Sequence, residues 1–180
     1  MNRLVTVAAL GAAALVLKKQ MTKSTPSDRL SAHRETIEVD VPISTAYNQW
    51  TQFEEFPRFM AGVLEVRQLD DSHLHWRAKI GGKEEQWDAE ITEQIPDKLI
   101  AWQSTSGAPN EGMVMFKRLG DDRTRIDLQM TYQPRGLVEA VGDAFGAVSM
   151  RVSGNLQRFK DFIENRGSET GAWRGSIDQH

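Results

Sequence analysis

His73 and His75 stand two residues apart, a spacing that puts two imidazoles on one face of a strand and would let them chelate a metal. No third ligand accompanies them, and they adjoin the turn Asp70-Asp71-Ser72, so a solvated pair is the expectation. Glu54-Glu55 and Glu84-Glu85 could be catalytic carboxylates, but side by side in charged surroundings they read as surface charge. Serine-histidine-aspartate catalysis lacks a nucleophile elbow or any comparable context. The chain has no cysteine, which removes disulfides, thiol nucleophiles and thiolate metal sites. That leaves the tryptophans. Trp50, Trp76, Trp87 and Trp102 either fill a core or line an apolar pocket, because ligand sites are themselves mostly apolar.

The elements that would hold these side chains follow from periodicity. Thr36-Ile37-Glu38-Val39-Asp40-Val41 alternates and stops at Pro42, a strand. Ile43 to Phe53 repeats at helical spacing, with Ser44 placed to cap it, and Glu54 to Met60 adds a second short turn around Pro57. Alternating segments then run from Val63 to Tyr132, broken by Asp70-Asp71-Ser72, Gly81-Gly82, Pro96-Asp97, Ser106 to Asn110 and Gly120-Asp121-Asp122. Seven strands result, six of them in one antiparallel meander. From Val138 through Val141, Phe145, Val148, Val152, Leu156, Phe159 and Ile163 the apolar residues fall three or four apart, a helix of some 30 residues. Its glycines at 142, 146 and 154 each cost about 1 kcal/mol of helicity relative to alanine. They either let the helix approach closely, leave room beneath it, or are simply tolerated.

An apolar helix stripe and a one-sided sheet each need a cover, and the economical fold lays one across the other. Alternation turns Leu74, Trp76, Ala78, Ile80, Trp87, Ala89, Ile91, Val114, Phe116, Ile126, Leu128, Met130 and Tyr132 inward. Titratable residues fall mainly outward, so binding is expected ahead of catalysis. An acid–base role would need Tyr132 with Arg77 or Glu93, reached by a register slip of one residue.

The N-terminus differs in character. Leu4 to Leu17 is uncharged, flanked by Arg3 and by Lys18-Lys19. Fourteen helical residues reach about 21 Å, against a hydrocarbon core of roughly 30 Å. A marginal or interfacial membrane anchor, a signal peptide and a helix docked on protein all fit. If it spans, the lysines on its C-terminal side place the body in the cytoplasm, whereas a signal peptide implies a secreted or periplasmic body. Residues 1–36 carry a balance of +4 and the remainder −7. An acidic body argues against nucleic acid, and a basic apolar leader argues for an anionic lipid surface.

The runs Trp50-Thr51-Gln52-Phe53-Glu54-Glu55-Phe56-Pro57-Arg58-Phe59-Met60, Gln86 to Pro96, Ile100-Ala101-Trp102-Gln103-Ser104, Gly112 with Phe116, Thr124-Arg125-Ile126 and Tyr132-Gln133-Pro134 resemble the polyketide cyclase/dehydrase branch of the START-related superfamily. The resemblance covers about residues 33–166. It implies an α+β helix-grip fold: a seven-stranded antiparallel sheet wrapped around a long C-terminal helix, with two short helices after the first strand. It further implies an apolar ligand such as a lipid, quinone or polyketide-like molecule between sheet and helix. It carries over no catalytic residue, and no cofactor or metal is expected. A cyclase or dehydrase acting on a bulky hydrophobic substrate and a membrane-associated interaction or stress protein without ligand are the two alternatives to a carrier. The expected layout is a hydrophobic segment at 1–21, a linker at 22–32, the helix-grip domain at 33–166 and a disordered tail at 167–180. The expected ligand-facing residues are Trp76, Ile80, Trp87, Ile91, Trp102, Phe116, Met130, Tyr132, Val141 and Phe145.

Overall fold

A computed structural model describes residues 31–80, 82–132 and 141–178. The anchor candidate at 4–17 and most of the linker lie outside these residues. The order is β1 (Ser31–Val39), α1 (Ile43–Trp50), a 3-10 helix (Phe53–Arg58), β2 (Val63–Gln68), β3 (His73–Ile80), β4 (Lys83–Ile95), β5 (Leu99–Ser104), β6 (Asn110–Gly120), β7 (Arg123–Tyr132) and α2 (Val141–Arg166). Strands β2 to β7 form the meander, and β1 pairs antiparallel with β7 to give the order β1-β7-β6-β5-β4-β3-β2. The expected α+β helix-grip architecture is present.

Local chemistry explains the boundaries. Pro42 fixes its own φ at −56° and hands its carbonyl to the Ala46 amide at 3.1 Å, which starts α1. Ser44 does not cap the helix as expected, because α1 begins one residue earlier and makes no side-chain cap bond. Gly82 takes φ +84° between β3 and β4, a conformation glycine adopts without strain.

Helix α2 is fixed to the sheet along a diagonal. Arg151 Nη1 donates to the Lys79 carbonyl at the end of β3, at 3.1 Å. Lys160 Nζ donates to the Glu38 carbonyl at 2.7 Å, and Glu164 accepts the Asp40 amide at 2.6 Å, both at the end of β1. Along the same helix Val152, Leu156, Phe159 and Ile163 are buried. Phe159 lies edge-on to Trp50 with centroids 4.9 Å apart and to Phe59 at 5.3 Å. Burying each such ring contributes roughly 1.5–3 kcal/mol. A space separating helix and sheet along their whole length is therefore not what forms: the C-terminal half of α2 interlocks with α1, the 3-10 helix and the lower sheet.

The C-terminal segment is a second departure. Residues 169–177, expected to be disordered, are tied to α1 and β4. Glu169 accepts from the Asn48 amide at 2.8 Å, Thr170 exchanges hydrogen bonds with Gln49, and the Trp173 amide donates to Thr51 Oγ1 at 3.1 Å. Arg174 grips Asp97 through two nitrogens, and Ile177 exchanges backbone bonds with Gln94. The reason is visible at the end of α1, where Asn48, Gln49 and the C-capping Thr51 are buried polar side chains. Buried polar groups need partners, and the tail supplies them. Polarity without periodicity marks a segment without its own fold, not one without a docking surface.

Candidate functional site

The inner face of the sheet divides into two zones. In the lower zone Val39, Thr124, Ile126, Phe116, Val114 and Ile100 are 5% exposed or less. Phe116 meets Tyr47 and Trp50 edge-on at 5.5 and 6.1 Å, so it belongs to the packed aromatic core. Ile91 is likewise fully buried. In the upper zone Ile80, Trp76, Trp87, Trp102 and Met130 are only half-buried. Trp76 and Trp87 sit opposite each other on β3 and β4 and stack with centroids 5.7 Å apart and planes 7° from parallel. Stacked indoles form a rigid apolar wall.

Trp102 forms the next part of that wall. It lies between Ile91 on β4 and Gly112 on β6. A Cβ at residue 112 would stand 2.6 Å from the Trp102 ring and 2.6 Å from the Gln129 carbonyl. The indole can therefore lie across β6 only because residue 112 has no side chain. Gly112 pairs in turn with Met130 on β7, and Met130 pairs with His33 on β1. One row thus crosses the sheet from Ile91 through Trp102, Gly112 and Met130 to His33.

That row ends on a polar pair absent from the sequence expectations. Register places His33 opposite Met130 and Glu35 opposite Leu128, so both face inward. His33 Nε2 is 3.7 Å from Glu35 Oε1, and the two side chains are 13% and 30% exposed. The signal was available. Stepping back by two from Val39 and Ile37 reaches Glu35 and His33, but their polarity ends the apparent alternation at Thr36.

Gln94 was missed for a different reason. A bulge between Ile91 and Glu93 resets the phase of β4, so Gln94 points inward at 1% exposure and donates to the Tyr47 hydroxyl at 3.0 Å. Burial raises the Tyr47 pKa, opposed by that hydrogen bond and by Arg174 nearby. Glu93 pairs with Ala101 on the outer side. Arg77 is also outside, bonded to Glu65 and Glu84 at 3.3 and 3.1 Å. Arg77 and Glu93, the two charged candidates named beside Tyr132, therefore lie on the outer face of the sheet.

The other early candidates resolve into surface pairs. His73 Nδ1 lies 2.9 Å from Asp70, whose carboxyl is held at about 2 by the Ser72 amide and by His73. His75 Nδ1 lies 2.7 Å from Asp88, so the two imidazoles answer to separate carboxylates. Glu55 pairs with Arg58 at 2.5 Å, and Glu54 accepts the Gln68 amide at 3.1 Å. Tyr132 ends β7, and Val141 and Phe145 lie in the first turns of α2, but their side chains are outside the described residues. No helix among the described residues is long and apolar enough to cross a membrane.

A curled seven-stranded sheet gripping a C-terminal helix defines the START-like, helix-grip class of proteins. Solved structures agree. A Deinococcus radiodurans protein is 26% identical, with TM-score 0.60, covering 76% of this chain and 99% of its own. The Zhui aromatase/cyclase of Streptomyces sp. R1128 has TM-score 0.67 at 14% identity, covering 81% and 100%. A START superfamily protein of Mycobacterium smegmatis has TM-score 0.60 at 16% identity, covering 75% and 95%. At the last two identities the likeness is one of fold. The family described as polyketide cyclase/dehydrase and lipid transport matches residues 39–161, and this chain belongs to it. An uncharacterized 17.2 kDa protein of Streptomyces lincolnensis is 51% identical over 149 residues, 82% of this chain and 99% of that protein.

Proposed function

We propose that the protein binds or carries a hydrophobic small molecule between the upper inner face of the sheet and α2. One observation carries this reading: the largest inward side chains of that zone, Trp76, Trp87 and Trp102, are half-buried while the zone below them is fully packed. Partly exposed indoles aligned on the inner face leave some apolar surface for a guest to cover, each buried square ångström contributing about 25 cal/mol. Family membership supports the same reading, since the family description joins cyclases to lipid transport. The candidate guests are lipid, quinone or polyketide-like.

Native mass spectrometry of protein purified without detergent should reveal a co-purifying apolar ligand, and addition of 2-naphthol should change tryptophan emission. Ligand-free protein whose emission ignores the probe would end the proposal. We also propose that the body works beside a membrane, on the strength of the uncharged run Leu4–Leu17 next to Lys18 and Lys19. Removing residues 1–22 should release it to the soluble fraction. Retention on membranes would refute the anchor.

The His33–Glu35 pair favours a second reading, a cyclase or dehydrase acting on a bulky apolar substrate, because an imidazole beside a carboxylate is a proton-transfer pair. Turnover lost in Glu35→Gln with ligand binding retained would separate it from the carrier.

A further inference from the structure

We infer that the outer flank of α2 is the face this protein sets against an anionic membrane surface. Arg151, Arg158, Phe162 and Arg166 stand seven, four and four residues apart, so they share one flank of the helix over about 22 Å. Arg58 joins them from the 3-10 helix. Its guanidinium lies 5.2 Å from the centre of the Phe162 ring, and that of Arg166 lies 5.6 Å from it. Between Phe59 and Phe162 the flank opens into a groove of about 390 Å³, rimmed by Arg58, Arg158 and Arg166. At the head of the row Met150 is 74% exposed.

These arginines differ from the others in their partners. Elsewhere on the body Arg77, Arg118, Arg123, Arg125 and Arg174 each face a carboxylate within ion-pair distance. On this flank, among the described residues, only Arg58 does, with Glu55 at 2.5 Å. Arg151 and Arg158 donate instead to the Lys79 and Phe59 carbonyls, at 3.1 and 2.9 Å, and Arg166 rests on the Phe162 ring. Neutral partners fix a guanidinium without cancelling its charge. Stacking on a ring occupies its face and leaves the N–H edge for oxygen acceptors. Asp161 is the one acid lining the groove, and its carboxylate accepts the Gln157 amide at 3.0 Å. The flank is thus a net-positive strip on a body whose balance from residue 37 onward is −7. Lipid phosphates suit it for two reasons. A straight, open basic edge meets a flat anionic surface without needing a fitted recess. Basic residues interleaved with Phe162 and the exposed Met150 are also the mixture that settles at the headgroup boundary. None of these residues belongs to the apolar leader or to the inner face of the sheet.

The chain has no cysteine, so Met150→Cys and, on the outer face of the sheet, Gln103→Cys each give the full chain one position for an environment-sensitive dye. Vesicles of equal parts phosphatidylcholine and phosphatidylglycerol should shift the emission of the dye at 150 to the blue and leave that at 103 unchanged. Pure phosphatidylcholine should shift neither. Salt at about 1 M, where the screening length is roughly 3 Å, should reverse the shift. Arg58→Gln and Arg166→Gln should each weaken the vesicle titration read at 150 about fivefold, and together about twenty-five-fold. Arg166→Lys should leave it intact. The leader is present throughout, so these ratios report the flank alone. No shift at 150, an equal shift at both positions, or the same shift on pure phosphatidylcholine overturns the inference. An unchanged titration in the folded double variant does so equally. A shift with polyglutamate but not with vesicles would assign the flank to an acidic protein and overturn the membrane reading. The contrast between the two dye positions decides the matter should the double variant unfold. Each of these results leaves the hydrophobic-ligand reading where it stands.

Discussion

Replacing Gly112 with alanine should destabilise the protein by about 1–2 kcal/mol and disturb the Trp102 wall. The added methyl would meet Trp102 Cζ2 and the Gln129 carbonyl oxygen, each at 2.6 Å, with Trp102 Cη2 at 3.0 Å. The indole can swing aside, but the Gln129 oxygen belongs to β7 and moves only if the β6–β7 ladder distorts. Overpacking of this kind costs about 1–3 kcal/mol. Lower backbone entropy in the unfolded chain returns about 0.4–1 kcal/mol. The net corresponds to a melting point lowered by roughly 2–8 °C in a domain of this size. Urea titration followed by circular dichroism gives the free energy, and near-ultraviolet dichroism follows the indole environment. A double-mutant cycle with Trp102→Leu should return a coupling of at least about 0.5 kcal/mol, since the second change removes part of the clash. Gly82→Ala is the control. There φ is +84° and nothing stands within 4 Å, so it should cost about 1 kcal/mol through strain alone and leave probe binding unchanged. A Gly112→Ala protein with wild-type stability and unaltered dichroism would refute the account of how Trp102 is held.

Phe159→Ala should cost about 3–5 kcal/mol in urea titrations, because a wholly buried ring leaves a hole against Trp50 and Phe59. The Asp88 carboxyl is held below the usual range by hydrogen bonds from His75 and then Ser106. A depressed carboxylate stabilises above its unfolded value, near 3.9, and loses that contribution as pH falls through its folded value. Asp88→Asn should therefore flatten the acid limb of melting temperature against pH below about pH 4. Arg174→Ala removes the grip on Asp97 and a bond to Asn48. Its side chain is 44% exposed, so the loss should stay near about 1 kcal/mol, yet amide exchange at Gln94 and Ile177 should accelerate. Glu169, depressed chiefly by its bond from Asn48, should release the same segment on acidification, again read by exchange at Ile177.

The sequence alone determined most of the architecture. Alternation from Val63 to Tyr132 and helical spacing from Val138 to Ile163 announce a meander and a long helix, because both periods are properties of neighbouring residues. The inward placement of Trp76, Trp87, Leu128 and Met130 was legible for the same reason. Tertiary structure decided what local pattern cannot carry. The bulge after Ile91 reverses the faces of the last residues of β4, bringing Gln94 in and sending Glu93 out. Pairing with β7 extends β1 back to Ser31 and turns His33 and Glu35 toward the apolar face. The buried polar side chains of α1 hold a C-terminal segment that has no periodicity of its own. In each case the deciding contact joins residues far apart in the chain, and its free energy depends on a partner that no local window of sequence contains.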